Sequence, residues 1–225
     1  MKILYKFPSR ERPYKFFNAV DNIIAQARHK NFEIMATLDL DDPTMTSKEV
    51  KTKLNSYGSI LKPVFGMSGG KVDAINRDMY LAEGWDVMML MSDDFYINKP
   101  GFDVAVLDEY RKGFSGILHF PDQVAKNRLC TFPIMDHAYY KRFNFIYHPG
   151  FNSVYADNWQ HDVSVALGCY KFVDEPYLEH RHHMWGWGEA DALLLRCEHP
   201  LNYHKDMLFY EQQKSVNFDL HKYQQ

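Results

Sequence analysis

Two adjacent aspartates, Asp93 and Asp94, follow a short apolar run at Val87–Met91. A carboxylate that is buried without a partner costs several kcal/mol, so an acidic pair at the end of a buried strand usually meets a cation or solvent. Carboxylate oxygens at such a place suit Mg²⁺ or Mn²⁺ that holds a diphosphate. The alternative is a solvated turn in which the pair only caps the residues that follow. These residues alone leave both interpretations open.

A second acidic cluster follows the apolar run Ile34–Leu38 and consists of Asp39, Asp41 and Asp42. A carboxylate at this place can accept hydrogen bonds from ribose hydroxyls or from the imide of a base. The same residues, directly before Pro43, are also typical of an Asx-turn, which is the commoner outcome for this pattern.

The glycine-rich segment Gly66–Lys71 invites comparison with a P-loop. The spacing is wrong for that motif, and Val72 stands where a serine or threonine would hold magnesium. The segment can still direct backbone N–H groups and the ammonium group of Lys71 toward a phosphate at the start of the following helix. A plain tight turn is at least as compatible with the sequence.

The second half of the chain contributes a histidine string and an isolated aspartate. Neutral imidazole binds Mn²⁺ and Zn²⁺, and His180 and His182 would face the same side of a strand. A zinc hydrolase site and a solvated turn are both open for this string. Asp157 stands near the start of a predicted helix, where an N-cap is the favoured interpretation. A general base that deprotonates a hydroxyl group is the alternative.

Short apolar runs alternate with helical spacing through the first hundred residues. The runs predict strands at Ile3–Phe7, Ile34–Leu38, Ile60–Phe65 and Val87–Met91. Between them, Thr46–Glu49 fits a capping box that opens a helix, and the spacing of apolar residues predicts a further helix over 72–82. This alternation indicates an α/β fold with a mostly parallel central sheet that helices cover on both faces. Ligands of such sheets bind beyond the carboxyl ends of the strands, where the polar residues above lie.

The composition excludes several classes of protein. The 225 residues carry 26 Lys+Arg against 29 Asp+Glu, so the chain has no basic footprint for nucleic acid or an anionic membrane. The longest apolar run, Val87–Met91, is far shorter than the ~20 residues of a membrane span. The N-terminus is too charged for a signal sequence, and three scattered cysteines indicate free thiols in a reducing compartment. We expect a soluble, cytoplasmic protein with one domain over residues 1–225.

Taken in order, the segments resemble the nucleotide-sugar glycosyltransferases of GT-A fold, especially family 2-like members. The resemblance runs from Ile3 to about Tyr210 and rests on the order and spacing of motifs that are each weak alone. It includes a polar turn after the first strand, an acidic pair after the second, a Lys-x-x-Ala-x-Asn helix start and a DXD-type motif after the fourth. The corresponding segments here are Phe7–Arg10, Asp41–Asp42, Lys71–Asn76 and Ser92–Asp94.

The resemblance implies a role for each motif. Residues 1–97 would bind the nucleotide sugar, and residues 98–225 would bind the acceptor. Asp94 would hold Mn²⁺ or Mg²⁺ together with His180 or His182, of which His180 is preferred. Asp157 would be the base. The implied donor-binding residues are Ser9, Arg10, Asp41, Lys71, Asn76 and Asp93.

The implied reaction moves a sugar from a UDP-sugar by default, or a GDP-sugar second, to a hydroxyl group of a glycan or other acceptor. Attack opposite to the leaving group would invert the anomeric configuration, although the fold also supports retention. Two departures matter: Ser92 replaces the first aspartate of the DXD-type motif, and the terminal Gln-x-x-Arg-Trp motif of processive synthases is absent, which favours single transfers. The alternatives are a nucleotidyltransferase of similar fold and an inactive domain that binds nucleotide sugars or glycans.

Overall fold

A seven-stranded sheet forms the centre of the computed structural model, which describes residues 1–123, 125–183, 186–187 and 190–223. Its strand order is β3-β2-β1-β4-β7-β6-β8, and a separate two-stranded sheet pairs β5 with β9. The strands are β1 (Ile3–Ser9), β2 (Phe32–Asp39), β3 (Leu61–Gly66), β4 (Val87–Leu90), β5 (Phe95–Ile97), β6 (Ile117–His119), β7 (Ile134–Asp136), β8 (Tyr170–Phe172) and β9 (Leu178–His180).

The four strands predicted from the first hundred residues all form, and they pair in parallel. Strand β1 pairs with β2 over seven residues and with β4 over four. β7 then adds to β4 in the antiparallel direction, so the sheet is mixed at this side. The predicted mostly parallel sheet is confirmed.

Helices lie on both faces of the sheet, and the period of two along β1 explains why. Ile3, Tyr5 and Phe7 point into one apolar core, whereas Leu4 belongs to a second core on the other face. The first core is covered by α1 (Pro13–Gln26), α2 (Lys48–Ser56) and α4 (Phe102–Arg111). The second is covered by α3 (Lys71–Asn76), α5 (His137–Phe143), α6 (Ala156–Ala166) and α8 (Pro200–Ser215), and α7 (Ala192–Cys197) precedes α8.

Two details of the predicted helices are wrong. The N-cap of α2 is Ser47, whose hydroxyl accepts a hydrogen bond from the Val50 amide; the hydroxyl of Thr46 donates to the Asp42 carbonyl instead. The capping box at Thr46–Glu49 therefore does not form. The helix predicted over 72–82 ends at Asn76, because the next two residues leave the helical region and Asp78 has φ 72°.

The small sheet brings the late histidine string to the end of β4. Phe95, directly after Asp94, pairs with His180 in the antiparallel β5–β9 ladder. The backbone amide of Arg181 then donates to the carbonyl of Asp94 at 2.7 Å. No helix in the described part of the chain is both long and apolar enough to cross a membrane.

Candidate functional site

The carboxyl ends of β1, β2 and β4 meet at one edge of the sheet, which we call the strand-end edge. Ser9 ends β1, Asp39 ends β2, and Asp93 and Asp94 follow β4. The Ser9 hydroxyl donates to the Asp93 carboxylate at 3.3 Å. Neighbouring parallel strands thus bring together residues that are 84 positions apart in sequence, as expected for this type of sheet.

Arg10 extends from this edge and binds two of the three aspartates after β2. Its Nη1 atom donates to Asp39 at 2.9 Å and to Asp41 at 2.5 Å, and its Nη2 atom donates to the other oxygen of Asp41. The hydrogen bonds from Arg10 hold the pKa of Asp41 below its usual value, against a smaller opposing effect of desolvation. Arg10 and Asp41, both predicted donor ligands, therefore form a preassembled pair.

Asp42 has the structural role that its position before Pro43 predicted. Its buried carboxylate accepts hydrogen bonds from the amide and hydroxyl of Thr44, as in an Asx-turn. It also accepts from the amide of Glu11 at 2.6 Å. Asp42 therefore ties the loop after β2 to the loop after β1.

Arg77, which the sequence analysis missed, forms hydrogen bonds with residues at the strand-end edge. Its guanidinium group donates to Asp39 at 3.2 Å, to Ser68 at 2.8 Å and to the Leu38 carbonyl at 2.8 Å. A Cβ atom on Gly66 would lie 3.0 Å from Arg77 Cζ, so this glycine makes room for the arginine. The glycine-rich segment thus has an observed packing function that its sequence did not reveal.

Asp93 is buried and paired with a second missed arginine, Arg12. Arg12 Nη1 donates to Asp93 at 2.9 Å, and Arg12 Nε donates at 2.6 Å to Asp191, the N-cap of α7. Burial raises the pKa of Asp93 to about 6; the charge of Arg12 opposes this rise, and the neighbouring charge of Asp94 adds to it. Arg12 therefore connects the strand-end edge with the last part of the chain.

Asp94 faces His180, as the preferred metal assignment requires. His180 Nε2 lies 3.7 Å from Asp94, and its Nδ1 lies 3.4 Å from Asp122, a buried residue that the sequence analysis missed. Burial lowers the pKa of His180, but these two carboxylates overcome that effect and raise it to about 9. Burial likewise raises the pKa of Asp94, and hydrogen bonds from His180 and Ser92 outweigh it and hold the pKa well below its usual range.

The ring of His182 lies 5.3 Å from that of His180, but its other partners differ. The strand ends at His180, so the strand periodicity does not extend to His182. His182 Nε2 lies 3.3 Å from Glu198, and its ring centroid is 4.6 Å from that of His183. Burial lowers the pKa of His182 to about 4, although the charge of Asp94 acts in the opposite direction.

Asp157 lies in the first turn of α6 and is not its N-cap. The N-cap is Tyr155, which has φ 58°, and the Asp157 carboxylate accepts from the following amide of Asn158 at 3.0 Å. The N-cap interpretation is therefore wrong. Burial raises the pKa of Asp157, and the positive charges of Lys71 and His180 act against this rise. Asp157 thus shares an electrostatic environment with two of the other predicted site residues.

The loop before α6 is held by Asp206, a buried residue of α8 that the sequence analysis also missed. Its carboxylate accepts from the amides of Asn152, Ser153 and Val154 at 2.8–2.9 Å. The amide of Val72 in turn donates to the Asn152 carbonyl, so the start of α3 is part of the same arrangement.

Asn76, predicted to bind the donor, has its side chain engaged elsewhere. Its Oδ1 accepts from the amides of Ile146 and Tyr147, and its Nδ2 donates to the Tyr147 carbonyl at 2.6 Å. Direct contact with a donor stays a prediction for this residue, and the observed contacts place it in the scaffold.

An open cleft of about 420 Å³ lies beside the start of α6. Burial raises the pKa of its Tyr203 phenol, and the charges of Glu198 and Asp157 add to that rise. Asp157 therefore interacts electrostatically with a residue that lines the cleft. The lining residues are Tyr155, Glu198, Pro200, Tyr203, His204 and Met207.

No protein-family model and no curated protein sequence matches this chain. Solved structures do match. A structure of residues 1–349 of TarS from S. aureus has a TM-score of 0.59 and 19% identity over 80% of this chain. Another of the same segment, in complex with UDP-GlcNAc, has a TM-score of 0.59 and 18% identity over 94%. The mannosyltransferase PcManGT from Pyrobaculum calidifontis, in complex with GDP-Man and Mn²⁺, has a TM-score of 0.62 and 11% identity over 95%.

The extent of these matches decides what they show. This chain spans 60% of the first TarS structure, 39% of a longer TarS structure and 75% of PcManGT. At 11–19% identity the likeness concerns the backbone, and fold alone does not fix chemistry. The mixed sheet, the helices on both of its faces and these structural neighbours together identify the fold of the chain as GT-A.

Proposed function

We propose that this protein is a glycosyltransferase that moves a single sugar from a nucleotide-diphosphate sugar to a hydroxyl group. One observation carries the proposal: the paired carboxylates Asp93 and Asp94 lie at the strand-end edge, and Asp157, a carboxyl group with a raised pKa, is electrostatically coupled to His180 beside them. Groups that bind a diphosphate and a group that accepts a proton are the two requirements of this reaction.

The donor would lie along the strand-end edge. Arg10 and Asp41 sit together beyond β1 and β2, where an exposed carboxylate can accept hydrogen bonds from a base or a ribose. Asp93 and Ser9 form the deeper part of the same edge. UDP-GlcNAc and GDP-Man are bound by the neighbouring structures, which supports a UDP-sugar first and a GDP-sugar second.

The residues around Asp94 fit a divalent metal ion. A carboxylate, an imidazole 3.7 Å away and the Ser92 hydroxyl that donates to this carboxylate are an oxygen and nitrogen donor set suited to Mn²⁺. Asp94 and His180 would hold the ion, and it would neutralise charge on the leaving diphosphate. The low pKa of Asp94 keeps this carboxylate ionised over the physiological range.

Asp157 would take the proton from the acceptor hydroxyl. Its raised pKa brings it closer to neutral pH, which favours a general base over an ordinary exposed aspartate. The positive charges of Lys71 and His180 act against this rise. Attack from the face opposite the leaving group would invert the anomeric carbon, in the same sense as the opposed groups of inverting glycosidases.

The cleft next to α6 is the natural place for the acceptor. Its lining includes Tyr203 and Tyr155, which stands two residues before Asp157; tyrosine combines an aromatic face with a polar tip, which suits the apolar and hydroxyl surfaces of a sugar ring. Glu198 and His204 add hydrogen-bonding groups to the lining.

The test separates donor binding from transfer. Thermal shifts are measured for UDP, GDP and CMP and for their sugars, each with and without Mn²⁺. A ligand present at 100 times its Kd stabilises the folded state by ~2.7 kcal/mol. Transfer is measured as nucleotide release with a panel of methyl glycosides. We expect Asp94→Asn to lose the Mn²⁺-dependent shift.

Asp157→Asn should keep the shift and lose about 10²–10⁴-fold in nucleotide release, because only the general base is removed. Asp108→Asn, which changes an exposed aspartate on α4, is the matched control. A metal-dependent shift without any turnover would favour the inactive binding domain. Equal activity of all three variants would refute the site assignment.

A further inference from the structure

The histidine string divides between two places in the structure. His180 turns toward Asp94 and Asp122, whereas His182 and His183 turn toward Glu198. One ligand atom of each of His182, His183 and Glu198 lies within 4.8 Å of the other two, and all three residues are partly buried. We propose that these three residues bind a divalent transition-metal ion of the zinc type, at a site separate from Asp94.

One of the three groups is unsatisfied as it stands. His183 Nδ1 is buried and has no hydrogen-bond partner among the described residues. Buried polar atoms are nearly always paired, and leaving one unpaired costs about 1–3 kcal/mol. A metal ion bound at this nitrogen would remove that cost. The same ion would also bind His182 Nε2 and Glu198 Oε1, which lie 3.3 Å apart.

The ligand types select the ion. Two imidazoles and one carboxylate are a zinc-type set with an open fourth position, whereas the carboxylate-rich strand-end edge suits Mg²⁺ or Mn²⁺. Tetrahedral zinc with bonds of about 2.0–2.2 Å places neighbouring ligand atoms about 3.3–3.6 Å apart. His182 Nε2 and Glu198 Oε1, 3.3 Å apart, already have this spacing, and an atom pair at the 4.8 Å limit would have to close by about an ångström, which rotation of partly buried side chains can supply.

Glu198 is fixed by the turn between α7 and α8. Its amide donates to the Leu194 carbonyl at 2.8 Å, and Asn202 Nδ2 donates to the carbonyl of the preceding Cys197. Glu198 also lines the cleft beside α6. A metal ion at this place would link the segment after β9 to α7 and α8, and so hold one wall of the cleft. The inference is independent of the proposed sugar transfer.

The test uses the full chain without a histidine tag, after removal of metals with a chelator. Zn²⁺ is titrated by calorimetry into the wild type and into Asp94→Asn, because the imidazole of the proposed Asp94–His180 site can also bind Zn²⁺. We expect Asp94→Asn to keep one Zn²⁺ per chain. His183→Ala and Glu198→Gln should weaken binding by at least about tenfold, because loss even of outer-shell partners costs 10–100-fold.

Two variants serve as controls. His221→Ala removes an exposed histidine and should bind Zn²⁺ as the wild type does; Asp94→Asn removes the predicted ligand at the strand-end edge and should keep the binding that His183→Ala and Glu198→Gln weaken. Circular dichroism checks that each variant is folded, and Glu198→Gln keeps the size of the side chain. The proposal is refuted if the wild type binds no Zn²⁺, if His183→Ala and Glu198→Gln bind it normally, or if Asp94→Asn abolishes the same binding. Donor-induced thermal shifts, measured separately, report on the proposed transferase function alone.

Discussion

The strand-end edge and the last part of the chain are built in different ways. The edge stands on the parallel ladders of β1, β2 and β4, in which β1 and β2 alone pair over seven residues. The described residues of 181–223, which we call the C-terminal wall, contribute helices and turns after the three-residue strand β9. Apolar side chains such as Phe218 and Leu220 pack this wall onto the second core, and single charged side chains connect it to the site: Asp206 to the loop before α6, and Asp191 to Arg12.

This contrast predicts where single substitutions act. Backbone register positions the groups of the strand-end edge, and many hydrogen bonds share that task. The connection between the C-terminal wall and the site depends on a few charge-assisted hydrogen bonds, each of which is stronger than a neutral one. One change in the wall should therefore disturb the site more than a comparable change on the surface of the sheet layer.

The largest effect is expected for Asp206→Ala. The substitution leaves the amides of Asn152, Ser153 and Val154 without their acceptor; the hydrogen bond of Ser153 is buried and the other two are partly buried, and a buried unpaired donor costs about 1–3 kcal/mol. We expect a loss of at least about 3 kcal/mol in the free energy of unfolding, measured by urea denaturation. Glu211→Ala, on an exposed position of the same helix, is the control and should change stability by less than about 0.5 kcal/mol. Equal stability of the two variants would contradict the role of Asp206.

The next prediction concerns the pH dependence of the free energy of unfolding that results from a buried lysine near the strand-end edge. Lys6 is fully buried on β1 and donates to Thr37 and to the Arg77 carbonyl at 2.6 Å. Burial lowers its pKa to about 7, although the charge of Asp78 acts in the opposite direction. Between pH 7 and the ordinary lysine pKa the unfolded chain binds more protons, so the contribution of Lys6 to stability rises with pH.

Lys6→Met should therefore flatten this rise, by up to a few kcal/mol between about pH 7 and pH 10. His180 has the opposite sign: its pKa is raised to about 9, so its stabilising contribution is present below about pH 6.5 and is lost as the pH rises through about 9. The difference between variant and wild type isolates Lys6, and Lys62→Met, on the exposed part of β3, is the control. Parallel curves for Lys6→Met and wild type would show that the lysine is charged in the fold.

The same contrast explains how much of the molecule the sequence could predict. The apolar runs predict the strands β1 to β4. The polar residues that come directly after these strands in the sequence must lie at one edge of the sheet, because parallel strands share a direction. A position directly after a strand in the sequence was therefore enough to place a residue at the site. The partners Arg77, Arg12 and Asp206 were missed, because they reach their targets across 38, 81 and 54 positions. No local pattern records such a pairing.

Weak signals for some of these residues were nevertheless present. Asp206 stands three and four positions before Phe209 and Tyr210, on the helix face that packs against the second core. A carboxylate on such a face needs donors, and the loop before α6 supplies them. The helix start near Asp157 was wrongly predicted for another reason. Tyr155 adopts a left-handed backbone conformation, which is uncommon for a residue other than glycine and which its residue type does not predict.

The smallest effect, and the one that joins the two regions, is expected for Arg12→Ala. Arg12 pairs with Asp93 at the strand-end edge and with Asp191 in the C-terminal wall. Without it, the pKa of the buried Asp93 should rise above about 6 and α7 should lose its anchor, since Arg12 is the main cation that opposes the effect of burial and Lys15 contributes less. We expect about tenfold weaker donor binding, which corresponds to about 1.4 kcal/mol, in a calorimetric titration with the nucleotide identified by the thermal-shift panel.

Lys15→Ala is the matched control, because Lys15 also approaches Asp191, at 3.4 Å, but is half exposed and makes no hydrogen bond to Asp93. An exposed pair of this kind contributes about 0–1 kcal/mol, so this variant should bind the donor nearly as the wild type does. If both variants bind alike, the two regions are coupled by something other than Arg12. If only Arg12→Ala weakens binding, one side chain carries the connection between the strand-end edge and the C-terminal wall.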